Sequence, residues 1–169
     1  NIIGLITDIS AGTITIDGHQ NLSMNGKNAM ILRRYTIGYL FQNYGLIEDE
    51  SVLWNLKLAL EYKKIKREEK LKLINKYLKQ FELNDMLNKK VYQLSGGEQQ
   101  RIAIIKLILQ GSQIILADEP TSGLDKENEL IVMKLLKELN EKGITIIMVT
   151  HNMNLCDCFS RVINVENFR

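Results

Sequence analysis

One stretch limits the architecture more than any other. Ile114 to Ala117 is an unbroken apolar run that stops on two adjacent carboxylates, Asp118 and Glu119, with Pro120 directly after. A strand without polar alternation is covered on both faces, the mark of a parallel sheet flanked by helices. A second run of this kind, Ile144 to Val149, ends just before His151. Between the two, Lys126 to Glu141 sets Ile131, Leu135 and Leu139 on one helical stripe, and Gly143 supplies a stop. Strand, helix, strand with buried strands predicts an α/β chain with a doubly wound, mostly parallel sheet.

The remaining segments fit around that frame. Thr13 to Asp17 reads as a short strand ending at Gly18, and 21–26 as a polar loop. Ile37 to Phe41 reads as a second strand, with Gln42 just past its end. From about Val52 to Leu83 the pattern is helical, with Leu71, Ile74, Leu78 and Phe81 at spacings of three and four. This lysine-rich block has no strand pattern and predicts a helical lobe set apart from the sheet. Helical periodicity resumes after Gln93–Gln100 and runs to Leu109, with Gly111 as a stop. A short helix and a last strand near Val162–Val165 complete the expectation.

Composition narrows the function classes. The 169 residues make about one domain. Lys and Arg total 22 against 20 Asp and Glu, a net +2, which excludes a strongly basic nucleic-acid binder. No apolar run reaches the ~18 residues of a membrane span. Cys156 and Cys158, one residue apart, suit neither a disulfide framework nor a CxxC motif, which points to a reducing cytosol. Their spacing with His151 is irregular for a metal site, so packing or idle surface is the simpler reading. Lys63 to Lys72 mixes signs and reads as a solvated helix face. Trp54 reads as core or as a contact near Gln42.

Three constellations carry chemistry. Asp118 and Glu119 emerge where open α/β sheets bind ligands, at the carboxyl end of a strand. Adjacent carboxylates there call for a positive partner, and Mg²⁺ on a nucleotide is one. Asp118 would then reach the metal through water and Glu119 would polarise an attacking water. A plain helix-capping acidic pair is the alternative. In Leu94–Gln100 (LSGGEQQ), Ser95 can cap a helix beginning near Gly97, with Glu98 in its first turn and two glycines permitting close approach of a ligand. An ordinary capped helix is the alternative. His151 falls at the same sheet edge, suited to a γ-phosphate or simply to a strand-end turn.

Together, Gln42, Leu94-Ser95-Gly96-Gly97-Glu98, Ile114–Glu119, Ser122-Gly123-Leu124-Asp125 and His151 stand in the order and spacing of one family. The chain resembles the ATP-binding subunit of ABC transporters over essentially its whole length. The resemblance implies a P-loop NTPase fold with a helical subdomain over residues 47–94, inserted in an α/β core that spans residues 1–169. It implies ATP and Mg²⁺ as ligands. Gln42 is then the glutamine that senses Mg²⁺ and the membrane partner. Ser95, Gly96, Gly97 and Glu98 form the signature that meets ATP held by the opposite copy. Asp118 serves the metal and Glu119 is the catalytic carboxylate. Asp125 is the D-loop aspartate and His151 the switch histidine. The implied partners are a membrane-spanning permease and a second copy arranged head to tail, with no nucleic acid. The implied location is cytoplasmic, on the inner face of the membrane. The text around Gln42 and LSGGEQQR resembles the branch of lipoprotein-release, macrolide-export and bacteriocin-export systems. A soluble ABC-type ATPase and a truncated, non-catalytic signature module are the rival readings.

One departure stands out. The family's G-x-x-x-x-G-K-[ST] phosphate loop is absent, and Gly26-Lys27-Asn28 in its polar loop is no substitute. The expectation is that natural residues precede Asn1 and supply the loop and its strand. The chain alone is then expected to hydrolyse no ATP and to dissolve poorly, with an open apolar sheet edge.

Overall fold

The computed structural model describes residues 1–20 and 22–165 of the chain. A hairpin opens it: β1 (Thr15–Ile16) pairs antiparallel with β2 (His19–Gln20). Asp17 and Gly18 join them, both at positive φ, as a two-residue turn matched to strand twist requires. The expected strand over 13–17 is thus shortened to two residues. Of the expected polar loop, Asn21 lies outside the described residues.

Helix α1 (Lys27–Tyr35) follows, where the sequence reading had the Gly26-Lys27 pair inside a loop. Gly26 takes the extended N-cap position and Lys27 is the first helical residue. The helix exists because Ala29 and Leu32, three apart, bury one side against the sheet. Arg33 adds a tie by donating to the Leu5 and Met24 carbonyls at 2.6 and 2.8 Å.

Three parallel strands form the main sheet in the order β3 (Ile37–Leu40), β4 (Ile114–Asp118), β5 (Thr145–Val149). β4 is central, and its alternating side chains divide the core. Ile115 and Ala117 join the cluster that contains α4 and α5, while Leu116 joins the cluster of Ala29, Leu32 and Ile37 on the other face. This is the doubly wound arrangement the apolar runs predict.

Helices α2 (Val52–Ala59) and α3 (Arg67–Gln80), with 3₁₀ turns at Asn84–Met86 and Val91–Gln93, build the helical lobe. The lobe is not set apart from the core. Leu56, Leu60, Ile74 and Leu78 share one continuous apolar cluster with Leu40, Ile115 and Ala117. Helix α4 (Gly96–Gln110) is the bridge, since it buries Ile102, Ala103, Ile104, Ile105, Leu107 and Leu109 around its circumference. Gly111 ends it in the left-handed conformation. Helix α5 (Lys126–Glu141) covers the same face of the sheet with Val132, Leu136 and Leu139.

Two expectations fail at the far end. β5 is not fully buried: Ile146, Ile147 and Met148 are half-buried and Val149 is exposed. β5 pairs only with β4 among the described residues, so its outer edge is open. After a 3₁₀ helix over Met153–Cys158, residues 162–165 form no strand. Val162, Ile163 and Val165 are exposed, and an apolar alternation without a neighbouring edge gains nothing by extending.

Candidate active site

The carboxyl ends of β4 and β5 lie side by side because Asp118 is in register with Val149. Asp118 is the last residue of β4 and is exposed. It shares a cleft of about 530 Å³ with Phe41, Gln42 and Asn43, which leave the end of β3. Gln42 and Asp118 therefore line one cleft.

Glu119 turns the chain at φ 45°, an unusual value for a residue with a side chain and one that Pro120 behind it also disfavours. Such strain persists only where surroundings over-determine it. Here the Glu119 N–H donates to Val149 O at 2.9 Å. Its carboxylate accepts from the His151 backbone N–H at 2.6 Å and from the Thr150 hydroxyl at 3.2 Å. The His151 imidazole Nε2 stands 3.8 Å from Glu119 Oε1, and its side chain is 98% exposed. A ring so open can swing to a ligand without breaking a packed contact. Asp118, Glu119 and His151 thus occupy one edge of the sheet.

The second group gathers at the start of α4. Ser95 and Glu98 form a reciprocal capping box: the Ser95 hydroxyl accepts from Glu98 N–H at 3.3 Å, and Glu98 Oε2 accepts from Ser95 N–H at 2.7 Å. Partial burial alone would push the Glu98 carboxyl up. The Ser95 N–H and hydroxyl, with Lys89 and Arg101 nearby, outweigh it and hold the group below its usual value. Asp125 caps α5 from one side only, accepting from Asn128 N–H at 2.8 Å and from Asn128 Nδ2 at 3.0 Å. These bonds lower its carboxyl too.

The glycines of this turn are explained differently from the sequence reading. A Cβ on Gly97 would lie 2.0 Å from Asn128 Oδ1, and one on Gly96 would lie 2.8 Å from the Tyr44 hydroxyl. Within the chain, the Asn128 amide and the Tyr44 hydroxyl already occupy the space where these Cβ atoms would stand. Ser95, Gly96, Gly97 and Glu98 therefore group with Asp125 and with the loop after Gln42, rather than with Asp118, Glu119 and His151. One buried tie links the groups: Gln100, fully buried, donates from Nε2 to Pro120 O at 2.6 Å.

Tyr44, Gln100, Asn128 and Thr150 escaped the sequence reading. Asn128 was signalled by standing three residues after an N-capping Asp, and Gln100 by being a polar residue on an otherwise apolar helix. Nothing marked Tyr44.

Among the described residues no cluster of three or more His, Cys, Asp or Glu side chains could cage a metal. The donor set that does exist is the Asp118 carboxylate beside the Gln42 amide, both hard oxygen donors facing an open cleft. That set fits Mg²⁺, which keeps waters and takes one or two carboxylates plus phosphate oxygens. No helix among the described residues is long and apolar enough to cross a membrane.

The family model described as ABC transporter matches residues 1–122. An uncharacterised ABC transporter ATP-binding protein of Methanocaldococcus jannaschii is 38% identical over 167 residues, 99% of this chain and 75% of that protein. The macrolide export ATP-binding/permease protein MacB of Campylobacter jejuni is 36% identical over 99% of this chain, which spans only 26% of that relative. A dimeric ATP-binding cassette solved in a post-hydrolysis state with ADP and Pi superposes with a TM-score of 0.80 at 37% identity, covering 94% of this chain and 70% of that one. The cbiO1 protein of Clostridium perfringens, part of the ABC transporter complex cbiONQ, gives 0.74 at 29% identity, covering 88% and 59%.

Proposed function

The chain belongs to the ABC transporter family as a MacB-like ATP-binding subunit, and from that premise we propose that it hydrolyses ATP to drive a membrane-spanning permease. The carrying observation is the Glu119 carboxylate, held at the sheet edge by the Thr150 hydroxyl and the His151 N–H, beside Asp118. In this reading Glu119 orients and polarises the attacking water, and His151 donates to the terminal phosphate. Asp118 and Gln42 would hold Mg²⁺, which when bound would supply charge stabilisation to the phosphates. The transfer is in-line, with positioning providing most of the rate.

Two copies act head to tail. Ser95, Gly96, Gly97 and Glu98 of one copy face the ATP held by the other, and Asp125 lies beside them. The separation of the signature group from Glu119 within one chain supports this sharing, as does the dimeric state named for a solved relative. Residues 1–169 hold no G-x-x-x-x-G-K-[ST] loop, and the outer edge of β5 is open to a further parallel strand among the described residues. This polypeptide by itself then releases no phosphate.

The permease docks beside α2. Trp54, Leu58 and Tyr62 are exposed at spacings of four. Leu58 and Tyr62 line a groove of about 350 Å³ with Met30, Arg34, Tyr35 and Lys106. In this reading the subunit sits against the cytoplasmic face of the membrane. The macrolide-export names of the relatives support export, and the cargo class we propose is of the peptide, lipoprotein or bacteriocin type. Steady-state phosphate release by the full-length protein is the test. Glu119→Gln is expected to abolish turnover, and a variant that turns over like the parent would overturn the role of Glu119.

A further inference from the structure

The signature turn and the Asp125 turn are joined by a single side chain that neither motif contains. Asn128 lies in the first turn of α5. Its Nδ2 donates to both carboxylate oxygens of Asp125, each at 3.0 Å, and its backbone N–H donates to Oδ1 at 2.8 Å. Its Oδ1 accepts from Arg101 Nη1 of α4 at 3.1 Å. The same amide rests on Gly97, where a Cβ would come within 2.0 Å of Oδ1 and 2.3 Å of Cγ. Side chains do not approach that closely, so Gly97 and Asn128 are fitted to each other. Glycine inside a helix costs about 1 kcal/mol relative to alanine. The close seat of the Asn128 amide is a structural reason to keep it there.

We infer that Asn128 is a positioning residue that clamps the Ser95–Glu98 turn to Asp125, so that the two surfaces offered to the opposite copy move as one piece. The proposal rests on the two-copy reading above. Every polar atom of the amide is used in the clamp. Nδ2 serves both oxygens of Asp125 and Oδ1 serves Arg101, so aspartate at this position would lose both Nδ2 donations and set a carboxylate against Asp125. Alanine would free both turns.

The test uses the full-length protein with Gly97→Ala, Asn128→Ala and the double variant. Thermal midpoints form a double-mutant cycle for the contact itself. Gly97→Ala is expected to lower the midpoint, and Asn128→Ala to restore most of that loss by removing the clash. Additive losses would show that the two residues do not meet, and the proposal would fall. Function is read in a Glu119→Gln background, as the protein concentration at which ATP converts half the protein to dimer. Asn128→Ala is expected to raise that concentration about tenfold, the loss of one or two hydrogen bonds, with ATP affinity of the monomer unchanged. Asn128→Asp is expected to behave no better. Parent-like dimerisation of Asn128→Ala would overturn the positioning role even if the cycle shows contact. A Glu119→Gln parent that never dimerises with ATP would instead sink the two-copy reading. Turnover then decides, and parent-like kcat in Asn128→Ala would overturn the clamp.

Discussion

Thr150→Val isolates the group that orients Glu119. The Thr150 hydroxyl makes two bonds, donating to Glu119 Oε2 at 3.2 Å and accepting from Asn152 N–H at 3.0 Å. Valine keeps the β-branch and loses only the hydroxyl. A hydrogen bond to a charged group is worth roughly 1.5–3 kcal/mol. If the carboxylate needs that bond while it holds the attacking water, kcat of the full-length enzyme falls about 10- to 100-fold, at 1.36 kcal/mol per decade. Glu119 is not among the groups proposed to hold nucleotide before reaction, so KM for ATP stays within about twofold. The Asn152 N–H loses its acceptor to a methyl group at a half-buried position, so stability falls by about 1 kcal/mol. The assay is steady-state phosphate release across ATP concentrations, beside a thermal melt. Thr150→Ser should recover most of kcat because it restores the donor. A parent-like kcat in Thr150→Val would refute the reasoning. So would a loss matched by an equal loss of folded protein, which would make the residue merely structural.

Other perturbations separate the remaining parts of the account. Ser95→Ala removes the α4 cap and should cost about 1 kcal/mol in denaturant melts near neutral pH. The Glu98 carboxyl is depressed in the folded state, so its stabilising share is present above the ordinary carboxylate range and disappears as pH falls through the lowered value. The gap between parent and Ser95→Ala should therefore narrow in acid melts, and a gap that widens would contradict the assignment. Ile104→Ala, at a fully buried position in α4, should cost about 2–5 kcal/mol by chemical denaturation. Trp54→Ala with Leu58→Ala should reduce co-purification of the permease while leaving the fold intact by thermal melt, and undiminished recovery would reject the α2 groove.

The sequence made the sheet edge readable because its physics is local. Four apolar residues ending in Asp118 and Glu119 define a covered strand, and an apolar stripe stopped by Gly143 defines α5. Helix α1 was hidden because only Ala29 and Leu32 are buried on it, too short an apolar stripe to stand out beside a glycine and polar neighbours. The exposure of β5 was unreadable because burial depends on what lies beyond its edge, which an apolar run does not encode. The intrachain packing of Gly96 and Gly97 was not readable either. The Cβ position of Gly96 is taken by Tyr44, 52 residues earlier, and that of Gly97 by Asn128, 31 residues later. Packing across such separations leaves no local pattern.

The central claim is that one chain brings Asp118, Glu119 and His151 to an ATP whose other side is covered by a second copy's Ser95–Glu98 turn. Sedimentation of the full-length Glu119→Gln protein, with and without ATP, tests it most directly. Monomers are expected without nucleotide and a stable ATP-containing dimer with it, lost again when Ser95 is replaced by a bulky residue. A protein that stays monomeric at saturating ATP, or that dimerises equally without it, would contradict the account.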